Sequence, residues 1–543
     1  MNDLQIYFGL SGDNSVCHHF TITTGNYAGK IIAGPKKLLE VLELHLGLTG
    51  VYLSDTDRVL LLKDKFSALS EADFPFIKSF RNDPIGVSRR LLNLWDSWRL
   101  SGWDINIKTG LPKRMQQLLA LQEIFDSIGA GLVERLTAVM AALETEIIPK
   151  FTLHVIDRKE SFSCLHQQLL QKLESHGIII YDTYSPQASS NSDLSKLQTA
   201  IMNGEKSGEL LNDGTLQLLE FPNDILTANA IKSIQAASLW NPVLINRDNS
   251  LINGLNLSHN LPVCKWQTSS GNGQVAQLFF LATALFKQPV NTAQVLAFLS
   301  SPITPIPKKL SRELLKLFAT KPGFGNKDWD TAITDHLLLI KSSTNEESKK
   351  KSIVFWLQNT DKLKEPDLDI TLLNAIYTEL QTWALNAVHF TSYEIYKAQL
   401  RSLASLCNQL ITMLILEGTY ITTTKFERIQ SELFVEQPTN IAEAQVGCAD
   451  IVSDPGAIWS TTKEVLWMDA VRNETANYLS KYWYQEEKQF FINHDLPVQD
   501  ESHANAIYND GIKRMVLCAS DRLVILVPQT INGTATAKPF CLD

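Results

Sequence analysis

Apolar and polar positions along this chain follow two periods, and the changes between them predict its elements. Short apolar runs rich in Ile, Thr and Phe predict strands at LQIYFGL (4–10), FTITT (20–24) and KIIAG (30–34). Gly34-Pro35 then opens a helix, because proline at the first helical position needs no N–H partner. Leu38, Leu39, Leu42 and Leu46 form its apolar stripe, and Gly47 is a natural C-terminal stop. From 54 to 146 the period is helical, with LLNLWDSWRLSGW and QQLLALQEIFDSI as amphipathic segments.

Strand-type runs return at FTLHVID (151–157) and HGIIIYD (176–182), separated by the helical LHQQLLQKLE. A Ser/Asn-rich loop (185–196) follows, then LQLLEF (216–221) and PVLINRD (242–248) around the helix-like TANAIKSIQAASLW. Helical periodicity dominates from 274 to 432, and the charged run KSSTNEESKKKS (341–352) reads as a solvated loop or helix end. KEVLWMDAV (463–471) and DRLVILVPQ (521–529) bring back strands. The pattern is α/β: a sheet is left, a large helical segment is inserted, and a sheet is resumed.

Composition narrows the class without fixing the function. The 543 residues are 44% hydrophobic and 20% charged, enough for several folded domains. A net charge of −9 excludes a generally basic nucleic-acid coat but not a local basic groove. The seven cysteines are scattered without a CxxC pair, which fits reduced thiols rather than a zinc or disulfide framework. No run reaches eighteen apolar residues and the N-terminus lacks a signal pattern, so a soluble, cytoplasmic protein with no membrane partner is expected.

Candidate chemistry is sparse. TTGNYAGKI (23–31) nears a phosphate-binding loop, but its glycine spacing is one residue short, and Ile31 stands where a hydroxyl would bind Mg²⁺. Asp469 closes the apolar run Val465–Met468 at a strand end, where an acid can hold Mg²⁺ in a nucleotide-binding sheet; Asp157 and Asp182 end strands in the same way. Pro366-Asp367 with Glu394 and Lys397, and Glu486-Glu487-Lys488, imitate parts of a PD-(D/E)xK nuclease set on helical scaffolds. Trp95, Trp98, Arg99 and Trp103, preceded by Arg89-Arg90, could stack on single-stranded bases if exposed, or pack two helices if buried.

Several stretches, in order, resemble one family. AGPKKLLEVLELHLGL with the downstream Arg58, SFRNDPIGVSRRLLNLWDSWRLSGWD (79–104), PVLINRDNSLINGLNLSHNLPV (242–263), KPGFGNKDW (321–329), DPGAIWSTTKEVLWMDAV (454–471) and IKRMVLCASDRLVILVPQ (512–529) are similar to AddB/RexB-like proteins. These are the UvrD-type helicase-like subunits of bacterial helicase–nucleases. The resemblance implies two degenerate RecA-like (P-loop NTPase-type) domains with large helical insertions. Residues 1–53 would begin the first domain and 54–150 form an insertion; 151–262 would return to the first and start the second. Residues 263–435 would form a second insertion, and 436–543 complete the second domain.

The departures from that family direct the functional expectation. The loop after the first strand is Ser11-Gly12-Asp13-Asn14 without a lysine, no acidic pair ends a strand, and Arg522 lacks arginine-finger surroundings. A degenerate nucleotide site of Ser11, Gly12, Asp13, Asp469 and Arg522 is therefore expected, with no catalytic residue, no metal and no cofactor. The leading expectation is a non-catalytic, DNA-binding part of a helicase–nuclease of double-strand-break repair, partnered by an AddA/RecB-like subunit. Single-stranded DNA would meet Arg89, Arg90, Trp98, Arg99, Lys113 and Arg114. The alternatives are a scaffold that docks a partner helicase or nuclease without touching DNA, and an active ATPase with a divergent loop.

Overall fold

The computed structural model describes residues 4–13, 29–48, 53, 55–67, 69, 74, 76–125, 131–146, 150–182, 191–204, 209–237, 242–246, 248–264, 266–268, 274–321, 323, 325–340, 344–390, 396–415, 417–434, 439–471 and 478–538. The fold is mixed α/β, and the chain divides into two compact units. One contains residues 1–266 and 443–543, the other residues 267–442.

The first unit is built on two parallel sheets. Strands β1 (Leu4–Phe8), β2 (Lys30–Ala33), β3 (Phe151–Val155) and β4 (Ile179–Asp182) pair in the order β2-β1-β3-β4. Ile6, Phe8, Leu153 and Val155 are buried against Leu38, Leu39 and Leu42 of the helix Pro35–His45 and against Leu169 and Leu173 of the helix Cys164–Ser175. Gly47 (φ +67°) follows the first of these helices, and the Leu48 N–H reaches back to the Glu43 carbonyl at 2.9 Å, the left-handed stop that glycine favours.

The second sheet contains β5 (Leu216–Phe221), β6 (Val243–Ile245), β7 (Ile451–Val452), β8 (Thr462–Trp467) and β9 (Ala519–Pro528), ordered β7-β6-β8-β9-β5 and all parallel. Alternate residues face opposite cores. Val465, Trp467, Leu523 and Ile525 pack with Met515 and Val516, while Leu466, Val524 and Leu526 pack with Ala228, Ile231 and Ile252. Cores on both faces explain the apolar runs of β6, β8 and β9, whereas the edge strand β5 is largely exposed.

Between β2 and β3 lies a helical segment in which a buried ion pair fixes two helices. Arg58, 1% exposed, donates to both carboxylate oxygens of Asp96 at 2.7 and 2.9 Å. Gly131 leaves room for it, since a Cβ there would lie 2.2 Å from the guanidinium carbon and displace it. The unit 267–442 is mainly helical, centred on the paired helices Ile370–Ala387 and Lys397–Ile415. Of the loop and the helix end expected for its charged run, the described residues show the helix end: Thr344–Gln358 is one helix, anchored by the buried Ile353 and Trp356. The expected loop over 185–196 also ends early, because Ser192 caps the helix Asp193–Asn203. The run 20–24 lies outside the described residues. Among those described, no helix is long and apolar enough to cross a membrane.

Candidate functional site

In parallel sheets ligands bind beyond the carboxyl ends of the strands, so the first sheet's carboxyl edge is the place to look for a nucleotide site. After β1 the chain makes a 3-10 turn, Leu10–Asp13. Gly12 passes so close to the end of β2 that a Cβ would sit 2.4 Å from the Ala33 carbonyl. This close approach delivers Asp13 to the start of the helix Pro35–His45, where its carboxylate accepts N–H groups of Gly34 (3.1 Å), Lys36 (2.7 Å) and Lys37 (2.9 Å). A helix N-terminus is a ready anion site. Here the protein's own carboxylate fills it.

The same edge is tied to the second sheet's helices. Asp157, just past β3, accepts the Leu10 N–H at 2.7 Å through one oxygen and Arg514 Nη1 at 2.6 Å through the other. Arg514, on the helix Glu501–Cys518, also donates to the carbonyls of Ile156 (3.2 Å) and Gly456. Ser11 Oγ accepts the Trp459 indole N–H at 2.9 Å. Nearby, His166 is 5% exposed, with Nδ1 2.7 Å from Ser163 Oγ; burial drops its pKa to about 4, against the opposing pull of Asp13. Beside this junction lies a cavity of about 550 Å³ between β3, the helix Asp193–Asn203 and the helix bearing Arg514. Its rim carries Arg158, which pairs with Asp510 at 3.5 Å, Lys159, which lies 4.0 Å from Glu174, and the exposed Lys513.

The remaining members of the expected nucleotide site do not assemble there. Lys30 opens β2 at the amino edge of the first sheet, opposite the edge where phosphates bind, and Gly25 lies outside the described residues. Arg522 sits near the start of β9 in register with Glu464, so Asp469 is five residues farther along, about 16 Å at strand rise. This corrects the grouping of Arg522 with Asp469. The arginine that reaches the carboxyl edge is Arg514, present in the stretch IKRMVL but not singled out by its sequence context. Asp469 adopts φ +50°, and its Oδ1 is buried without a hydrogen-bond partner. Burial, then the charges of Asp224 and Asp248, push its pKa up to about 7. No group of His, Cys, Asp and Glu side chains among the described residues is placed to hold a metal ion.

Four of the six expected DNA-contacting residues, Arg90, Trp98, Arg99 and Arg114, are engaged within the protein. Trp98 is fully buried, edge-on to Trp103 (ring centroids 6.2 Å apart), and Trp95 meets Trp103 in the same way. The stacking role expected of Trp98 is thereby corrected: its ring is enclosed in the core, beside Trp103 and the Arg114 guanidinium. Arg99 donates to Glu134 at 3.2 Å. Arg114 makes a two-point contact with the buried Glu487 (2.7 and 2.6 Å) and lies 3.9 Å from the centre of the Tyr484 ring. Arg90 is exposed but held by Asp83 at 3.0 Å; Arg89 is half-buried, and Lys113 is exposed. These six positions therefore do not form one free cationic surface. Of the nuclease-like fragments, Asp367 opens a short strand, Lys397 opens a helix, Glu394 lies outside the described residues, and Glu487 serves Arg114. The side chain of Asp182 also lies outside them. No protein-family model and no curated protein matches the chain.

Proposed function

We propose that this chain is the non-catalytic, helicase-like module of an AddAB/RexAB-type helicase–nuclease that acts in DNA double-strand-break repair and recombination. In this reading its parallel sheets are two degenerate RecA-like domains. The observation that carries the proposal is the helix N-terminus at the first sheet's carboxyl edge, occupied by Asp13 rather than open to a phosphate. A motor body in this state contributes shape and binding surface while a partner AddA/RecB-like subunit supplies the chemistry.

Single-stranded DNA would then be held weakly along the cavity rim, through Arg158, Lys159 and Lys513, rather than on the tryptophan-bearing helix. The test is fluorescence anisotropy with a single-stranded oligonucleotide at several salt concentrations. Binding should weaken with salt by about 0.7 log units per log unit of salt for each phosphate contacted. Arg158→Glu with Lys513→Glu should flatten that slope by about 0.7 for each phosphate no longer met. Trp98→Ala should cost about 3–5 kcal/mol of stability and leave affinity unchanged. A second reading, a scaffold that docks its partner without touching DNA, draws support from the internal pairing of Arg99 and Arg114. Absence of any salt-dependent binding by the wild type would select it.

A further inference from the structure

Two cysteines that share no sequence motif meet where the chain leaves and re-enters the two-sheet unit. Cys264 lies two residues before Trp266, the last residue of that unit's first part; Cys448 lies five residues after Glu443, the first of its second part. The two segments are laced together. The Gln445 N–H donates to the Val263 carbonyl at 3.0 Å, and Gln445 Oε1 accepts the Val263 N–H at 3.1 Å. Cys448 is then positioned by its own N–H, which donates to the Gln445 carbonyl at 3.1 Å. Cys264 is fixed from the other side by its N–H, which donates to Asn253 Oδ1 at 2.8 Å. These hydrogen bonds bring the segment of Cys264 against the segment of Cys448 and leave the two thiols as neighbours. Both cysteines are free.

We propose that Cys264 and Cys448 form a redox-responsive clasp, closing as a disulfide when the protein meets a small-molecule disulfide such as oxidised glutathione. The closed bond ties together the two ends of the inserted segment, within the unit that carries both sheets. Cys264 is 1% exposed and Cys448 is half-buried, so Cys448 is the sulfur an oxidant reaches first. Its thiolate attacks one sulfur of glutathione disulfide, forming a mixed disulfide and expelling one glutathione thiolate, which takes up a proton. Cys264 then gives up its proton and attacks the Cys448 sulfur, expelling the second glutathione. Two protein thiols are oxidised, and one glutathione disulfide is reduced to two glutathione thiols. Burial, with the neighbouring thiol, pushes the Cys264 thiol up, so the second step is the slow one and quickens with rising pH. In a reducing compartment the clasp rests open.

The experiment titrates thiols in the full chain under denaturing conditions, before and after incubation with oxidised glutathione, and maps disulfide-linked peptides by mass spectrometry. Two of the seven thiols should disappear, with a single peptide pair joining Cys264 to Cys448. After limited proteolysis within residues 267–442, the flanking fragments should stay joined until reductant is added. Cys264→Ser should leave a glutathione adduct on Cys448 and no such joined fragments. Retention of all seven thiols, an adduct on wild-type Cys448 that never resolves, or linkage of either cysteine to Cys164, Cys407 or Cys518 would overturn the proposal.

Discussion

Asp157 follows β3 of the first sheet and Asp469 follows β8, the central strand of the second, and the two carboxylates meet opposite surroundings. Asp157 is 11% exposed, bonded to Arg514 and to the Leu10 N–H. Asp469 has a buried oxygen with no hydrogen-bond partner and two further carboxylates as electrostatic neighbours. A buried charge is tolerable when it is paired and hydrogen-bonded, and shifts toward its neutral form when it is not. The same local pattern, an apolar strand closed by an acid, thus gives a structural tie in one sheet and a strained acid in the other. The difference comes from residues hundreds of positions away.

The largest expected effect comes from breaking the satisfied member. Arg514→Ala should destabilise the protein by about 3–5 kcal/mol, because it strands the Asp157 charge at a buried junction. Urea denaturation measures it, and adding Asp157→Asn should recover part of the loss. A lone Arg514→Ala that unfolds at the wild-type midpoint would show that the tie contributes nothing.

Relieving the unsatisfied member should have the opposite sign. An acid whose pKa is raised on folding binds extra proton in the folded state, so its contribution to stability falls as pH rises from the ordinary carboxylate value of 3.8 to about 7. Asp469→Asn should therefore stabilise the protein above pH 7 by about 1–3 kcal/mol, with the gain shrinking on acidification and vanishing below about pH 4. Melting curves at several pH values check this; a gain that does not vary with pH would remove the charge from the explanation.

The smallest effect separates the causes. Asp248→Asn should move the Asp469 pKa downward, since it removes a negative neighbour, and should stabilise at neutral pH by less than Asp469→Asn does. An equal or larger gain would place the strain on Asp248 instead.

These contrasts explain what could be read from the chain and what could not. The runs Val243–Ile245, Thr462–Trp467 and Leu523–Val527 were legible as strands because their residues are buried on both faces of the second sheet. The stop at Gly47 was legible because it is local. For the charged run 341–352 a loop and a helix end were both open, since its dense charge masks the pattern, and the apolar contacts of Ile353 and Trp356 that anchor the helix Thr344–Gln358 lie beyond it. Asp13 could be found in the loop after β1, but not its role, which depends on amides 21 to 24 residues downstream. Arg514 was illegible as a site residue because its partner, Asp157, is 357 positions away. Periodicity alone could not say whether the indole of Trp98 faces solvent or core.

In the proposed function, Asp13 closes the helix N-terminus at the first sheet's carboxyl edge, and the chain works without nucleotide turnover. Steady-state ATP hydrolysis by the full chain, with and without single-stranded DNA, tests it most directly. Turnover should be no faster than in the absence of protein, unchanged by DNA and unchanged in Lys30→Ala. DNA-stimulated hydrolysis that Lys30→Ala abolishes would contradict it.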